Sequence, residues 1–278
     1  MNGKRKTKSV VQTVGGEAFS SANAKTEDGN QVVDASASLL REYAERYETP
    51  DFLTGDPSWW MHQVEGAENQ EAMAFVAAGL SYGSRKQFMP KIGQLLEWSG
   101  GEVDAWVRSG QYQSHFSPGD VRCFYRLYNN DCMWRFLQAY RQLLCQHGTL
   151  GRYVRSKAST GIEAVEAICT FFRSHDGGPV IPKDATSACK RICMFLRWMV
   201  RSGSPVDLGL WADFIPRSTL IMPLDTHVVA ESVRLGLMAK SATSMHAAQA
   251  LTATLALVFP DDPLRADFAL FGFGVDGN

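Results

Sequence analysis

The chain has 278 residues, of which 45% are hydrophobic and 21% are charged, and its formal net charge is −1. A chain of this length can bury a large core in one domain or in two lobes. A net charge near zero excludes any argument for nucleic-acid binding from overall charge, so a basic surface must be local. Between Arg152 and Arg201, nine Lys and Arg residues accompany four Asp and Glu residues, an excess of five positive charges that predicts such a surface.

Residues 1–33 are polar, rich in Gly, Ser, Asn and Lys, and without hydrophobic periodicity. This composition predicts a disordered tail. Its basic start has no apolar segment behind it, so it is not typical of a secretory signal. No stretch of the chain reaches the roughly 20 apolar residues that a membrane span needs. We therefore expect a soluble cytoplasmic protein with no membrane partner.

The remainder, residues 34–278, shows one helical pattern after another, broken by Gly, Pro and Asn, and Asp34 is placed to cap the first helix. Helices are predicted over 35–47, 70–82, 86–99, 102–109, 120–127, 130–146, 160–174, 184–202, 225–236, 243–258 and 261–270. The helix over 70–82 is apolar nearly all round, which predicts burial. No alternating run is long enough to predict a strand. The pattern predicts an all-α protein with two lobes and a boundary near residues 146–182.

The metal-binding residue types form no cluster along the chain. The six cysteines contain no CxxC pair and are typical of reduced thiols in apolar helices. Cys189 and Cys193 share a helix face, but two ligands make a poor metal site. Asp225 and His227 are two residues apart, which points them to different faces of a helix. We therefore expect no metal and no cofactor.

The segment 187–201, SACKRICMFLRWMVR, predicts a mostly buried helix with a basic stripe. Lys190, Arg197 and Arg201 recur along that stripe, which predicts that the helix borders a polar cleft. The alternative is that their long side chains cover apolar surface and keep their charges in water. With Ser187 as N-cap, Lys190 lies in the first turn, where the positive end of the helix dipole disfavours an ammonium ion. Such a lysine suits a Schiff-base nucleophile.

A second helix start follows in PLDTHVVAESVRLGL, residues 223–237. Asp225 comes after Pro223 and before an amphipathic run that ends at Gly236, so we expect it to cap this helix. An aspartate held by backbone N–H groups stays ionised at neutral pH. Its simplest role is capping, worth about 1 kcal/mol. A functional role places its carboxylate in the same cleft as Lys190.

These two segments resemble parts of the helix-hairpin-helix (HhH-GPD) DNA glycosylase superfamily, in which an Asp-Thr-His run opens a helix and a lysine begins an earlier apolar helix. The long gap between Lys190 and Asp225 is most similar to that of the archaeal 8-oxoguanine glycosylase branch. Residues 36–275 also resemble an uncharacterised bacterial family of conserved hypothetical proteins. The shared pieces are Asp-Pro at Asp56, EAMAFVAAGLSYGSRK, FYRLY, SACKRICMFLRWMVR, VDLGLW, PLDTHV and DFALFGFGV.

The chain departs from the superfamily in two places. The Gly-rich hairpin that precedes the lysine in other members has no counterpart in IPKDATSACK, residues 181–190. A DNA phosphate would instead meet a bare helix N-terminus at Ser187. No four-cysteine cluster follows Asp225, so no iron–sulfur centre is expected.

The resemblance implies a DNA N-glycosylase with AP lyase activity, acting as a monomer on double-stranded DNA with a flipped base. Lys190 is then the nucleophile, and Asp225 stabilises the charge that develops on the sugar. The expected DNA-binding residues are Arg191, Arg197, Arg201, Arg85, Lys86 and Ser187, and the expected base pocket is Tyr82, Trp198 and His227.

Other interpretations remain open. Tyr82, Arg85 and Lys86 also fit a solvated turn between helices. The whole chain fits a non-catalytic nucleic-acid-binding helical protein, although such a protein needs neither Lys190 nor Asp225 as such. It also fits an N-glycosidase acting on RNA or nucleosides. Discrimination between DNA and RNA depends on contacts to the 2′-hydroxyl, and the sequence does not show such contacts.

Overall fold

The computed structural model describes residues 36–276, so the predicted tail, residues 1–33, and the predicted cap Asp34 lie outside the described residues. The described chain is mainly helical, which confirms the all-α prediction. Its helices are α1 (36–47), α2 (Ala67–Leu80), α3 (Arg85–Trp98), α4 (Val103–Ser109), α5 (Asn130–His147), α6 (Leu150–Arg155), α7 (Gly161–Ser174), α8 (Lys190–Val200), α9 (Thr226–Arg234), α10 (Met245–Ala256) and α11 (Arg265–Asp276). Short 3₁₀ helices lie at Pro50–Leu53, Pro57–His62, Gln111–Ser114 and Arg217–Thr219. Within residues 36–276, every helix is too short or too polar to cross a membrane.

The helix predicted over residues 120–127 is wrong. This segment forms an antiparallel hairpin with strands Cys123–Tyr125 (β1) and Tyr128–Asn129 (β2), and Arg126 and Leu127 make the turn between them. The aromatic side chains of the two strands are buried against the helices. Aromatic residues pack well on a pleated backbone, and this burial overrides the helical pattern.

The larger of two buried cores, here the first core, is built around α2. This helix is buried on nearly every side, as its sequence predicts. The ring of Phe75 lies 5.6, 5.4 and 5.2 Å, centroid to centroid, from the rings of Phe136, Phe172 and Phe195, which come from α5, α7 and α8. This core includes residues before, within and after 146–182, and the two-lobe boundary expected there stays a prediction.

A second core joins the beginning of the described chain to its end. It contains Leu40 from α1, Val229 from α9, Leu251 from α10 and Leu270 from α11. The two cores meet immediately before α8, where Ala188 belongs to the second core and Cys189 to the first. The start of α8 therefore lies at the junction of the two cores.

Candidate functional site

A cleft of about 510 Å³ opens at the junction, beside the first residues of α8 and α9. Its volume lies within the roughly 300–1,000 Å³ that is typical of ligand sites. Side chains of both cores line it, so its shape depends on how the two cores meet. The apolar lining includes Phe52, Tyr82, Phe88, Met194 and Phe271, and the charged lining includes Asp56, Arg85, Lys190, Arg197, Asp225 and Asp267.

The structure brings Lys190 and Asp225 together across this cleft. Helix α8 begins at Lys190, and Asp225 is the N-cap of α9. The Nζ atom of Lys190 lies 3.2 Å from Oδ2 of Asp225. Their side chains are 34% and 29% exposed, so a ligand in the cleft can reach both. The predicted approach of these two side chains is therefore found.

The two carboxylate oxygens of Asp225 have different partners. Oδ1 accepts a hydrogen bond of 2.8 Å from the backbone N–H of Val228, as expected for an N-cap, and Oδ2 faces Lys190. Burial opposes ionisation of Asp225, but the charge of Lys190 and the N–H of Val228 outweigh it and hold the pKa below its usual value. Asp225 therefore carries a fixed negative charge at neutral pH.

The predicted N-cap of α8, Ser187, is wrong. Ser187 pairs with Ser244 in an antiparallel bridge, and the chain enters the helix two residues later, at Cys189. Cys189 has a φ of 44°, the left-handed region, and its side chain makes no cap hydrogen bond. The backbone pairing of residues 186–188 with residues 243–245 determines where the helix begins. Ser187 is expected to bind a phosphate at the N-terminus of α8, but it does not lie at that N-terminus.

The predicted DNA contacts of Arg197 and Arg201 are also wrong, because both side chains are only 3% exposed. Both guanidinium groups pair with Asp207, in the segment that follows α8, and with carboxylates from distant segments, which are Asp267 for Arg197 and Glu48 and Asp262 for Arg201. Arg197 Nε lies 3.2 Å from Asp207, and Arg201 Nη2 lies 2.9 Å from Asp262. Buried guanidinium groups persist only when they are paired in this way. Of the basic stripe, Arg197 and Arg201 thus join the two cores, and only Lys190 is left open to the cleft.

Trp198, expected in the base pocket, is fully buried and does not line the cleft. It neighbours Arg197 along α8 but faces the first core, so this prediction is wrong. Its indole N–H has no hydrogen-bond partner among residues 36–276.

Arg191 is committed to contacts within the protein. Its guanidinium donates to the carbonyl of Gly79 at 2.6 Å and to the hydroxyl of Tyr128. It also lies 5.6 Å from the centroid of the Tyr82 ring. These bonds connect the start of α8 to the end of α2 and to the hairpin. The contact of Arg191 with DNA stays a prediction.

The remaining expected residues divide into two groups. Tyr82, Arg85 and His227 line the cleft, whereas Lys86 is exposed outside it. The hydroxyl of Tyr82 accepts a 3.0 Å hydrogen bond from the backbone N–H of Leu127, so it is engaged with the hairpin. The side chain of Arg85 is half-exposed and reaches Asp56 at 3.5 Å.

The cleft also contains two acidic residues that the sequence patterns do not indicate as site residues. Asp56 caps the 3₁₀ helix that follows it and accepts a 3.0 Å bond from the backbone N–H of Ser58. Asp267 pairs with Arg197, but burial outweighs this partner and raises the pKa of Asp267. Asp56 precedes a proline, which is a local capping signal, whereas Asp267 is in the cleft only because α11 packs there. Among residues 36–276, no three His, Cys, Asp or Glu side chains are placed to hold a metal ion.

Comparison with known proteins adds a family but no function. No curated protein and no solved structure matches the chain. A family model described as a protein of unknown function (DUF2400) matches residues 56–276. The match includes the cleft residues Asp56 and Asp267 and the pair formed by Lys190 and Asp225. The chain therefore belongs to the DUF2400 family.

Proposed function

We propose that the chain is a DNA N-glycosylase with AP lyase activity that removes a damaged or modified base. The observation that carries this proposal is the 3.2 Å contact between Lys190 and Asp225 in the cleft. An isolated ion pair on an open surface needs no function. This one lies at the starts of two helices, inside a cavity of ligand size, and offers a nucleophile beside a fixed charge.

Removal of the base begins at the sugar. Lys190 gives a proton to Asp225, the carboxylate 3.2 Å away, and its free electron pair attacks C1′ of a flipped nucleotide. The bond from C1′ to the base breaks, and its electron pair leaves with the base, which takes up the proton. Asp225 passes this proton on to the departing base and is ionised again, so its carboxylate stabilises the positive charge that develops on the sugar.

Strand cleavage follows from the covalent intermediate. The lysine nitrogen, now bonded to C1′, passes a proton to the ring oxygen O4′, and the ring opens to leave a protonated Schiff base. Loss of a proton from C2′ then expels the 3′ phosphate with the electron pair of the C3′–O bond. The positively charged imine accepts the electrons of the C2′–H bond, which is why a lysine gives lyase activity.

The walls of the cleft suit a flipped base. Phe52, Tyr82 and Phe271 provide aromatic surface, and Arg85 and Asp56 provide polar groups. Enzymes that act on a base hold it by stacking and by hydrogen bonds to its edge. Side chains of both cores line the cleft, and this supports a site that encloses the base away from water.

The test is borohydride trapping, which reduces a Schiff base to a stable covalent adduct. Duplex oligonucleotides carrying 8-oxoguanine, uracil, an alkylated purine or an abasic site are each incubated with the protein and borohydride. We expect the wild type to be trapped on at least one of them and the Lys190→Gln variant on none. Asp225→Asn retains the helix cap but should slow trapping by about 100-fold or more, because the fixed charge is lost.

Lys157→Gln is the matched control, since it removes an exposed lysine that does not line the cleft and should be trapped normally. Trapping of Lys190→Gln at the wild-type rate would contradict the assignment of the nucleophile. A wild-type protein that is trapped on none of the duplexes, the abasic one included, would contradict the proposed function.

A further inference from the structure

Three of the six cysteines lie together where α7 packs against the start of α8. Cys169 belongs to α7, and Cys189 and Cys193 lie one turn apart at the start of α8. All three are free thiols, and they are buried in the first core. The thiol of Cys169 donates a hydrogen bond to the sulfur of Cys189. The chemistry proposed for the cleft makes no use of this thiol pair, although Cys189 directly precedes Lys190.

The surroundings of Cys189 favour its thiolate. The hydrogen bond from Cys169 is the main reason why the pKa of Cys189 falls from 9.0 to about 7, although burial opposes this change. The hydroxyl of Ser187 lies 3.6 Å from the same sulfur, and the charge of Arg191 acts in the same direction. The hydrogen bond between the two cysteines, together with burial, raises the pKa of Cys169. The pair therefore contains one nucleophilic sulfur and one thiol that keeps its proton, as reactive dithiols do.

Cys193 differs from the pair in its contacts. Its thiol donates to the backbone carbonyl of Ala188 at 3.5 Å, and burial raises its pKa. A buried thiol that stays protonated is chemically inert. Cys193 therefore provides a matched control, since it is as buried as Cys169 and lies in the same core.

The sulfur of Cys189 lies against the loop that leads into α8. It is 3.4 Å from the backbone carbonyl of Asp184 and 3.6 Å from the hydroxyl of Ser187, and both of these residues are exposed. Residues 183–186 form neither helix nor strand. Exposed loops of this kind open locally at a low cost in free energy. A small oxidant reaches Cys189 when this loop opens.

We propose that Cys169 and Cys189 are a redox-active pair, which a hydroperoxide oxidises to a disulfide that inactivates the Lys190 site. The thiolate of Cys189 attacks the O–O bond of the peroxide and takes up its terminal OH, which gives a sulfenic acid. The remaining oxygen leaves with the electron pair of the O–O bond and takes up a proton from water. The sulfur of Cys169 then attacks the sulfenic sulfur, the S–O bond breaks, and the OH leaves as water with the proton of Cys169. Two thiols have lost two electrons, and the peroxide has been reduced.

The disulfide changes the position of the residue before Lys190. A disulfide holds its sulfur atoms about 2.0 Å apart, much closer than two hydrogen-bonded thiols. The backbone of Cys189 has little freedom to adjust, because its φ of 44° is already in the left-handed region. Lys190 follows directly, and its Nζ must stay near Asp225, 3.2 Å away. A misplacement of about 1 Å in an active site can cost about 100-fold in rate.

The disulfide is tested by peptide mapping. The protein is treated with a small excess of hydrogen peroxide, its free thiols are blocked with N-ethylmaleimide in denaturant, and it is digested with trypsin without reduction. Cys169 lies in the tryptic peptide 158–173, Cys189 in 184–190 and Cys193 in 192–197. Mass spectrometry should find the first two peptides linked in the wild type and in Cys193→Ala, but not in Cys169→Ala.

The effect on Lys190 rests on the proposed function and has its own readout, the cleavage of an abasic duplex. Peroxide should slow cleavage by the wild type at least tenfold, and dithiothreitol should restore it. Cys169→Ala should cleave at about the wild-type rate before treatment and keep at least half of that rate after it. Cys193→Ala should lose activity as the wild type does.

The outcomes separate this inference from the proposed function. If peroxide produces no link between peptides 158–173 and 184–190, or links one of them to 192–197 instead, the pair is wrong and the inference is overturned. A linked wild type that cleaves at an unchanged rate overturns the inactivation. Equal losses in the wild type and Cys169→Ala overturn it too, because oxidation then acts at another residue. A protein that forms the linked peptide but never cleaves or traps an abasic duplex supports the redox pair and contradicts the proposed function.

Discussion

Replacement of Arg201 by methionine should destabilise the protein without affecting its contact with DNA. Arg201→Met keeps most of the side-chain volume but leaves Asp207 and Asp262 without this partner, and their side chains are 0% and 7% exposed. Breaking a buried ion pair typically costs about 3–5 kcal/mol. Arg197 still neutralises Asp207, and burial already raises the pKa of Asp207, which eases its protonation. We therefore expect the lower end, about 3 kcal/mol.

For a chain of this size, about 3 kcal/mol corresponds to a fall in Tm of about 6–12 °C. Calorimetry and urea unfolding of Arg201→Met and the wild type measure this loss, with Lys86→Gln as an exposed control that should change stability by less than about 0.5 kcal/mol. At a temperature where Arg201→Met is folded, its salt dependence of duplex binding should equal that of the wild type. A variant with wild-type stability and a weaker salt dependence would show that Arg201 contacts phosphates, which would refute the burial argument.

Two further predictions concern pH and salt. Burial raises the pKa of Glu71 from 4.5 to about 7, although three groups donate hydrogen bonds to its carboxylate, the N–H groups of Leu150 and Gly151 and the indole of Trp211. The folded state therefore binds the proton of the Glu71 carboxyl group more tightly than the unfolded state. The stability that this proton contributes is complete below pH 4.5 and is lost as pH rises through about 7. The loss in the free energy of unfolding is on the order of 3 kcal/mol. Urea unfolding from pH 4.5 to 8 should show this decline in the wild type but not in Glu71→Gln, and equal pH profiles would contradict it. With Arg197 and Arg201 buried, duplex binding should have a log–log salt slope of only about −3. Lys86→Gln should reduce the magnitude of this slope by about 0.9, and binding that is independent of salt would exclude phosphate contacts.

The features of the site that the sequence predicts are local. A proline followed by aspartate and an amphipathic run is sufficient to predict that Asp225 caps α9, because capping depends on a few neighbouring residues. The position of Lys190 in the first turn of α8 follows in the same way from the start of a strong apolar pattern. The 3.2 Å contact between them requires only that both helix starts face one cleft.

The predictions that are wrong depend on partners from elsewhere in the chain. The local sequence predicts Ser187 as a helix cap, but in the fold Ser187 pairs with Ser244 in an antiparallel bridge. Arg197 and Arg201 have the sequence pattern of surface residues, but carboxylates just after α1 and around the start of α11 pair with them in the fold. Side-chain periodicity reports which face of a helix is polar, but it does not report whether water, DNA or buried carboxylates meet that face.

The hairpin was missed for a related reason. The residues around Tyr125 have both a helical pattern and the aromatic content that favours strands, and tertiary packing decides between them. Its turn contains no glycine or asparagine, the residues that usually announce a tight hairpin. Here Arg126 takes the left-handed φ that glycine or asparagine usually provides, so the turn has no simple sequence signal.

The role of Lys190 as the nucleophile is tested most directly by locating the trapped adduct. Wild-type protein is reduced with borohydride on an abasic duplex, digested with nuclease and protease, and analysed by mass spectrometry. We expect a reduced sugar adduct on the peptide that contains Lys190, and no adduct there in the Lys190→Gln variant. An adduct on another lysine or on the N-terminal amine, with Lys190 unmodified, would contradict the assignment of the active site.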